Sequence, residues 1–237
     1  VTLDSGSAYH NGDVRITGLT RYDEDLVRRL ARIAPGAVYD QAELVAAQQR
    51  LSDSGYFDSV FVSLDTSSAV DPAPVLVKLR EVRLQKVIFG VGASTDSGPR
   101  LSVEHTHYKL PGIDWRAVSK LQLERDTRSI QTELTSPPDH KNWRWAVSGL
   151  VQNELLGSLD VTSQRLRGGR SQSGERIDRN LYVQYDRAAS VGTDASDPVI
   201  AQSVTANYAF TVRYYDSLPF PSKGWGWGAE LGGGTTL

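Results

Sequence analysis

The chain contains 237 residues with a formal net charge of -2, and charged residues make up 23% of it. Because it carries no basic run, nucleic acid is excluded as a partner, since gripping a phosphate backbone needs a concentrated positive surface. The complete absence of cysteine excludes disulfides, thiolate metal sites and thiol catalysis.

Methionine is absent as well, so not even an initiator residue remains. We therefore expect Val1 to be a processed end or the start of an excised segment, and the chain to be a fragment of a longer protein. Residues 1–13 are expected to be a leader segment or the end of a preceding domain.

The apolar residues do not form a run of the roughly 18 that a membrane-spanning helix needs. The mean hydropathy of the chain is -0.36. Transmembrane β-barrels escape this test, because their strands need only about ten residues, of which every second one is polar. Membrane strands must therefore be sought by a period of two.

Residues 14–19 are predicted to form a short strand that is followed by a helix. Thr20, with Asp23 three residues later, is expected to start this helix in an arrangement like a capping box. Pro35 and Gly36 are expected to end it. The apolar face of the helix is Leu26, Val27, Leu30 and Ile33.

A second helix follows, and Asp40 is its expected N-cap. The apolar face of this helix is Leu44, Ala47 and Leu51. Gly55 is expected to close the helix in the left-handed conformation. Two strands, at residues 57–65 and 75–82, are predicted on either side of a polar turn at residues 66–74. The predicted order of the domain is therefore β-α-α-β-β.

Two short motifs refine this interpretation. Thr17-Gly18 lies near the end of the first strand, and Gly55-Tyr56-Phe57-Asp58-Ser59-Val60 follows the second helix. Alone, the second motif indicates no more than a helix C-cap with two core aromatic residues. With the element order, residues 14–83 resemble a POTRA domain, in which the motif residues are Gly55, Tyr56, Phe57 and Val60. The resemblance implies a periplasmic domain that binds substrates or partner proteins, often by strand addition at a sheet edge, without a catalytic role.

Beyond residue 84 the helical period disappears, and strand-like segments alternate apolar with polar or small residues. The alternation is clearest in residues 204–214. Because successive side chains of a strand point to opposite faces, each segment has one predicted outer face. The predicted outer residues are Val87, Phe89, Val91, Ala93, Trp115, Ala117, Leu121, Leu123, Trp143, Trp145, Val147, Val151, Leu181, Val183, Tyr185, Val204, Ala206, Tyr208, Phe210, Val212, Tyr214, Trp225, Trp227, Ala229 and Leu231.

Soluble sandwiches and barrels also alternate, so three further features favour a membrane barrel. Aromatic residues lie at strand ends, as interfacial girdles do: Tyr108, Trp115, Trp143, Tyr214, Tyr215 and Trp225. The tight connection at residues 126–128 is expected to be a periplasmic turn, and residues 168–174 and 192–197 are expected to be outer loops. Full charges in mid-strand fit a wet lumen better than a dry core: Lys120, Glu124, Glu133 and Arg213.

Two segments carry a resemblance to the BamA/TamA superfamily of outer-membrane assembly factors. Residues 90–100, Gly-Val-Gly-Ala-Ser-Thr-Asp-Ser-Gly-Pro-Arg, resemble its first barrel hairpin, and residues 220–225, Phe-Pro-Ser-Lys-Gly-Trp, resemble a turn into a mid-barrel strand. The TamA type is preferred, with BamA and patatin-fused relatives as alternatives. The Arg-Gly-Tyr or Arg-Gly-Phe lid motif of the later barrel is absent. The chain has room for only about nine strands, against the roughly sixteen of the family, which agrees with a fragment.

The expected fold is thus an α+β POTRA domain at residues 14–83, followed at residues 84–237 by the N-terminal portion of an all-β antiparallel transmembrane β-barrel. The resemblance implies a bacterial outer-membrane protein that inserts or secretes client proteins such as autotransporters, without a cofactor. The implied partners are client outer-membrane proteins, a TamB-like periplasm-spanning protein, the lipid bilayer and lipopolysaccharide.

Client strands are expected to pair at a lateral gate in the first barrel strand. Its residues are Val87, Ile88, Phe89, Gly90, Val91, Gly92, Ala93 and Ser94. Two alternatives stay open: a passive pore or structural barrel, and the barrel of a patatin-like secretor whose hydrolase domain lies upstream.

Gly90-Val91-Gly92 is not interpreted as a dinucleotide fingerprint, because no helix opens after it. No Gly-x-Ser-x-Gly elbow occurs, and no nucleophile stands at a recognisable spacing from the histidines. We therefore predict that the chain is not an enzyme.

Two polar groups remain in the second module. His105 and His107 share a strand face, but a third ligand is missing and no metal site is predicted. Arg165, Arg167 and Arg170 form a basic patch, which we interpret as part of a solvated outer loop near lipopolysaccharide phosphates.

Overall fold

A computed structural model describes residues 9–66, 71–95, 98–174, 176–192, 197–216 and 221–237. The chain divides into two compact units, Val1–Arg83 and Leu84–Leu237. No helix in the described part of the chain has the length and apolar content that crossing a membrane requires. Some predicted segments lie outside the described residues: 1–8 of the leader, 67–70 of the polar turn, 96–97 of the first hairpin, 193–196 of the connection at 192–197, and Phe220 of the turn at 220–225.

The first unit has the predicted β-α-α-β-β order. Its elements are β1 (Asn11–Thr17), α1 (Glu24–Ala31), α2 (Gln41–Asp53), β2 (Phe57–Leu64) and β3 (Ala73–Glu81). The sheet order is β1-β3-β2, in which β1 is parallel and β2 antiparallel to the central β3. The predicted α+β domain is therefore confirmed.

One hydrophobic core lies between the two helices and this sheet. Both predicted helix faces contribute to it, since Leu26, Val27, Leu30, Leu44, Ala47 and Leu51 are all buried. The sheet contributes Val14, Val75, Val77 and Leu79. Ile33 lies beyond the end of α1 and packs against the core only in part. The amphipathic pattern of the sequence thus determines which face of each element is covered.

The ends of β1 and α1 differ from the prediction. β1 begins at Asn11, so the expected boundary after residue 13 falls inside this strand. Asp23, not Thr20, occupies the N-cap of α1. The helix ends at Ala31, because Arg32 adopts the left-handed conformation (φ 53°) and the chain leaves the helix before Pro35. Around α2 the prediction holds, because the Asp40 side chain accepts a hydrogen bond from the Ala42 amide.

The second unit is one antiparallel sheet of nine strands in chain order. The strands are β4 (Gln85–Ser94), β5 (Gly98–His107), β6 (Arg116–Leu123), β7 (Thr127–Thr135), β8 (Trp143–Leu156), β9 (Leu159–Ser173), β10 (Ile177–Gly192), β11 (Val199–Tyr215) and β12 (Gly224–Thr236). In the described part of the chain the sheet is open, since β4 and β12 end the strand order. The predicted antiparallel all-β module is confirmed.

The strand registers join the predicted outer residues into one continuous apolar face. Phe89 lies opposite Val103, Val103 opposite Leu121, and Leu121 opposite Ile130. At the other side of the sheet, Leu181 lies opposite Tyr208 and Tyr208 opposite Leu231. Large apolar side chains on this face stay exposed, as Phe89 (73%) and Leu231 (69%) illustrate. We call this surface the apolar face and its reverse the polar face.

The connections between strands correct one prediction. Residues 168–173 were expected in an outer loop but belong to β9. β6 precedes the tight connection at 124–126 and β10 precedes the predicted long connection, and because these two strands run in the same direction both finish at the same end of the sheet. We call this the Ser94 end, and the opposite end, where β4 begins, the Gln85 end. The tight and long connections therefore do not divide between the two ends as expected.

The glycines and serines of residues 168–173 are typical of a loop, but here they belong to a strand that packs closely on its neighbour. A Cβ at Gly169 would lie 2.3 Å from the Leu181 carbonyl oxygen and 2.7 Å from the Tyr182 Cβ. The missing side chain lets β10 approach β9 closely, whereas in the sequence alone a Gly-Gly pair followed by serines indicates a loop.

Truncation of the first core gives a direct test. Leu30→Ala should lower the free energy of unfolding of the first unit by about 2 to 5 kcal/mol, because the buried side chain leaves a cavity between α1 and the sheet. Chemical denaturation followed by circular dichroism measures the change. Val45→Ala is the matched control, since Val45 on α2 is 58% exposed. Its effect should stay below about 0.5 kcal/mol, and equal losses for both variants would show that the core is misassigned.

Candidate functional site

The predicted gate residues lie in β4, which pairs with β5 along one side only. The register runs without a shift from Gln85 opposite His107 to Ser94 opposite Gly98. The opposite side of β4 has no strand partner in the described part of the chain. β4 is therefore an edge strand with a row of main-chain groups open to a further strand.

The hydrogen-bond pattern shows which backbone groups face this open edge. The Tyr108 amide donates to the Leu84 carbonyl over 2.9 Å, and the register makes these residues direct partners. Hydrogen-bonded and non-hydrogen-bonded pairs alternate along an antiparallel ladder. The residues whose N–H and C=O point away from β5 are therefore Val87, Phe89, Val91 and Ala93.

The glycines of β4 occupy the other positions, whose backbone groups bond to β5. A Cβ at Gly90 would lie 2.5 Å from the Ser102 Oγ, so a side chain there requires Ser102 to turn away. At Gly92 a Cβ would meet no atom within 4 Å. Neither glycine has a backbone conformation that only glycine can adopt. Their effect is to leave the polar face of β4 without side-chain packing at these two positions.

The aromatic residues predicted at strand ends all lie at the Gln85 end of the sheet. Each of them is one of the first or last two residues of a strand on that side, or directly adjoins such a strand. Aromatic rings of β11 and β12 contact one another across the two strands. Tyr214 stacks on Trp225 with centroids 4.8 Å apart, and Phe210 meets Trp227 edge-on at 5.0 Å. One end of the apolar face thus carries the aromatic belt that the sequence predicts.

Two of the charges predicted in mid-strand, Glu124 and Arg213, form ion pairs on the polar face, and Glu124 lies just after the end of β6. Arg100 Nε lies 2.5 Å from Glu124 Oε1, and Arg213 Nη2 lies 2.5 Å from Asp178 Oδ2. Lys120 is directly opposite Glu104 in the register of β5 and β6. Opposite charges thus compensate one another on this surface, which suits a wet cavity wall.

The POTRA motif residues form a structural joint between α2 and β2. Gly55 has φ +77°, a conformation that other residues adopt only with strain. Tyr56 and Phe57 are buried, and both rings pack edge-on against Tyr22, at 5.2 and 6.2 Å. Val60 packs against the same core in part. The motif therefore anchors the segment before α1, and Tyr22 is the partner that sequence reasoning missed.

Glu81 is a second residue that the sequence did not single out. Its carboxylate accepts hydrogen bonds from the backbone amides of Thr20, Arg21 and Tyr22. It also accepts from the Thr20 hydroxyl at 2.7 Å and from Arg21 Nε at 2.8 Å. Arg21 further binds the Val82 carbonyl. One acidic side chain, 3% exposed, thus fixes the segment between β1 and α1 to the end of β3.

Burial by itself raises the pKa of Glu81, since it disfavours the charged form. The hydrogen bonds from Arg21 and Thr20 together outweigh burial and lower the pKa to about 2. Glu81 is therefore a charged, fully partnered anchor. In the sequence, Glu81 is only an acidic residue at the end of a predicted strand. Acidic residues are common at such positions, so the anchor has no distinctive signal.

The two histidines do not assemble a metal site. His105 Nε2 lies 3.2 Å from Gln85 Oε1, and the His105 and His107 rings are 6.4 Å apart. Among the residues that the structure describes, no group of three or more His, Cys, Asp or Glu side chains is placed to hold a metal ion.

Comparisons with known proteins relate both units to outer-membrane proteins. Residues 9–82 match the POTRA family, described as surface antigen variable number repeat. The chain is 22% identical over 248 aligned positions to the outer membrane protein assembly factor BamA of Neisseria meningitidis serogroup B, covering 95% of this chain and 30% of that protein. The chain thus spans about a third of the length of this curated relative.

Solved structures share the fold. The crystal structure of BamA from Haemophilus ducreyi lacking POTRA domains 1–3 superposes with a TM-score of 0.67 at 16% identity, covering 99% of this chain and 49% of that chain. CdiB from Acinetobacter baumannii superposes with a TM-score of 0.59 at 10% identity, covering 97% and 46%. The chain therefore has the fold of about half of each of these structures.

Neutralising the Glu81 anchor gives a pH-dependent prediction. In Glu81→Gln one acceptor oxygen becomes a donor that faces other donors, and the free energy of unfolding of the first unit should fall by up to about 3 kcal/mol at neutral pH. The folded-state pKa is lowered, so this stability is present above about pH 4.5 and is lost as the pH falls towards 2. Urea titrations across this pH range measure both effects.

The matched control for this test is Glu24→Gln. Glu24 makes an exposed ion pair with Arg28 one helical turn away, which should contribute no more than about 0.5 kcal/mol. If Glu81→Gln changed stability as little as the control, the carboxylate would not be the anchor described above.

Proposed function

We propose that this chain is part of an outer-membrane protein assembly factor of the BamA/TamA superfamily. The POTRA match and the similarity to BamA support this superfamily. In this proposal residues 14–83 are a periplasmic POTRA domain and residues 84–237 are the N-terminal portion of a barrel in the outer membrane. The protein inserts or secretes client outer-membrane proteins such as autotransporters, and it acts by pairing with polypeptide strands, not by a chemical reaction.

The open edge of β4 is the observation that carries this proposal. Val87, Phe89, Val91 and Ala93 present their backbone N–H and C=O groups away from β5. Val91 is 85% exposed. In a hydrocarbon layer such unpaired peptide groups cost several kcal/mol, so the edge binds any strand that satisfies them. A client strand that pairs here is held by main-chain hydrogen bonds, which accept many sequences.

The first unit supplies a second set of sheet edges for partners. β1 and β2 both flank the central β3. On β2, Phe61 is exposed, while the amide of Val62 donates to the Gln48 side chain at 3.1 Å. A peptide strand that adds to this edge must displace the Gln48 side chain from the Val62 amide. The edge is therefore more selective than an unprotected strand edge.

Three finer parts of the assignment remain predictions. The relatives reported above are BamA and CdiB proteins, so the TamA type is an expectation within the superfamily. The same holds for a TamB-like partner at the POTRA domain and for contact with lipopolysaccharide. The passive-barrel alternative predicts that the β4 edge never meets a client, and that difference can be measured.

A proline at Val91 tests the gate. Val91→Pro removes one donor from the open edge and leaves every hydrogen bond between β4 and β5 in place, since proline is tolerated where the N–H faces outward. We expect client assembly by the reconstituted intact protein to slow by about tenfold, because the client strand loses roughly one main-chain hydrogen bond. Heat-modifiable gel mobility checks that the barrel has folded.

Two controls separate the backbone effect from other causes. Val91→Ala removes side-chain bulk but keeps the donor, and it should assemble clients at nearly the normal rate. Gly92→Cys introduces the only cysteine of the chain at a position with free space, and should crosslink to a stalled client. Folded Val91→Pro protein that assembles clients normally, with no crosslink at residue 92, would reject the gate in favour of a passive barrel.

A further inference from the structure

The three arginines that form one patch in the sequence separate in the structure. Arg165 pairs with Asp186 at 2.7 Å, and the Arg167 guanidinium lies 3.4 Å from the centre of the Tyr182 ring. Both side chains belong to the polar face. Arg170 lies on the apolar face instead, because it is opposite Trp145 on β8 and Leu181 on β10. An arginine among apolar side chains requires a separate explanation.

Two indole rings and one carboxylate surround Arg170. Its guanidinium carbon is 5.1 Å from the Trp143 ring centre and 4.8 Å from that of Trp145, within the range of cation–π attraction. Its Nη2 lies 3.0 Å from Asp139 Oδ2. Its Nε is buried and finds no hydrogen-bond acceptor among the described residues. The two indole rings and the Asp139 carboxylate therefore hold the Arg170 side chain in place.

Arg179 supplies a second positive charge beside it. Arg179 is opposite Gln172 on β9, so it is a diagonal neighbour of Arg170 on the same face, about 7 Å away by sheet geometry. Its Nη1 donates to Gln172 Oε1 at 2.6 Å. No carboxylate of the described residues lies within 4.0 Å of its guanidinium. Arg170 is thus paired with Asp139, whereas Arg179 has no carboxylate partner among the described residues.

Apolar surface continues from this pair towards the Ser94 end. Leu166 and Leu181 are both exposed on the apolar face, and Phe210 lies opposite Arg179 on β11. A ligand that matches this arrangement has one negative charge with several acceptor oxygens, joined to a long apolar body. A phospholipid has this chemistry, whereas a soluble phosphate would leave the apolar surface uncovered.

We propose that Arg170 and Arg179, between Trp143, Trp145 and Phe210, bind the phosphate of a phospholipid in the membrane leaflet at the Gln85 end of the sheet. The inference rests on the proposed function, because it requires the apolar face to lie in a bilayer. The Gln85 end directly follows the domain proposed to be periplasmic, so the leaflet is the one nearer the periplasm. This revises the expectation that the arginines meet lipopolysaccharide in an outer loop.

Retention of lipid by the intact, folded protein tests the proposal. Native mass spectrometry of detergent-solubilised protein titrated with phosphatidylglycerol gives the affinity of each bound lipid. Arg170→Gln combined with Arg179→Gln should weaken the tightest phosphatidylglycerol site by roughly tenfold, because the charge-assisted hydrogen bonds are lost. Arg179→Gln alone leaves the ion pair of Arg170 with Asp139 intact, and should give a smaller loss in the same direction even if the double variant folds poorly.

Arg144→Gln is the matched control. Arg144 follows Trp143 at the same end of β8, but its side chain belongs to the polar face. This variant should retain lipid like the original protein. Equal loss in the control, unchanged affinity in both arginine variants, or binding of glycerol 3-phosphate as tight as that of phosphatidylglycerol would each overturn the proposal.

Lipid retention is measured without a client, so its result is independent of client assembly. Loss of lipid in the variants supports the site whether or not the β4 edge pairs with clients. Failure of the Val91→Pro test with lipid binding as expected would count against the gate alone.

Discussion

Backbone hydrogen bonding governs the second unit more than any side chain does. Nine antiparallel strands, from β4 to β12, pair in chain order. The backbone N–H and C=O groups that face a neighbouring strand are therefore hydrogen-bonded to it. The same register fixes which side chains share a face, because a slip by one residue would move every apolar side chain to the polar face. Exposure of apolar residues, compensation of charges and location of the open edges are all consequences of one ladder.

The two units contain similar types of residue but differ in which of them are exposed. In the first unit Leu30 and Val77 are buried between the helices and the sheet, and the buried carboxylate of Glu81 is stabilised by five hydrogen-bond donors. In the second unit Phe89 and Leu231 stay exposed, and charged residues pair with one another on the reverse of the sheet. A surrounding apolar phase would make the second arrangement favourable, and the proposed function therefore includes a membrane.

Periodicity made much of this fold predictable from the sequence. The helix faces of α1 and α2, the β-α-α-β-β order and the outer face of the second unit depend on local patterns, which a single chain displays directly. Contacts between distant residues were not predictable, since neither Glu81 with Thr20 nor Arg170 with Trp145 has a local signature. The C-terminal part of β9 was not predictable for a related reason, because Gly169 is required by its neighbour Tyr182 on β10 and not by a turn. The residues predicted to form the gate could be placed on a strand, but their open edge follows only from the strand order.

If β4 is the proposed gate, its edge could accept diverse strands without a change of its own register. The residues that face outward with their backbone, Val87, Phe89, Val91 and Ala93, are the same ones whose side chains lie on the apolar face. The glycines at positions 90 and 92 use their backbone groups to bond with β5. An added strand therefore meets main-chain groups flanked by apolar side chains, and on the polar face it meets two positions without side chains. Recognition at such an edge depends on backbone pairing and apolar alternation, the two properties that strands of membrane barrels have in common.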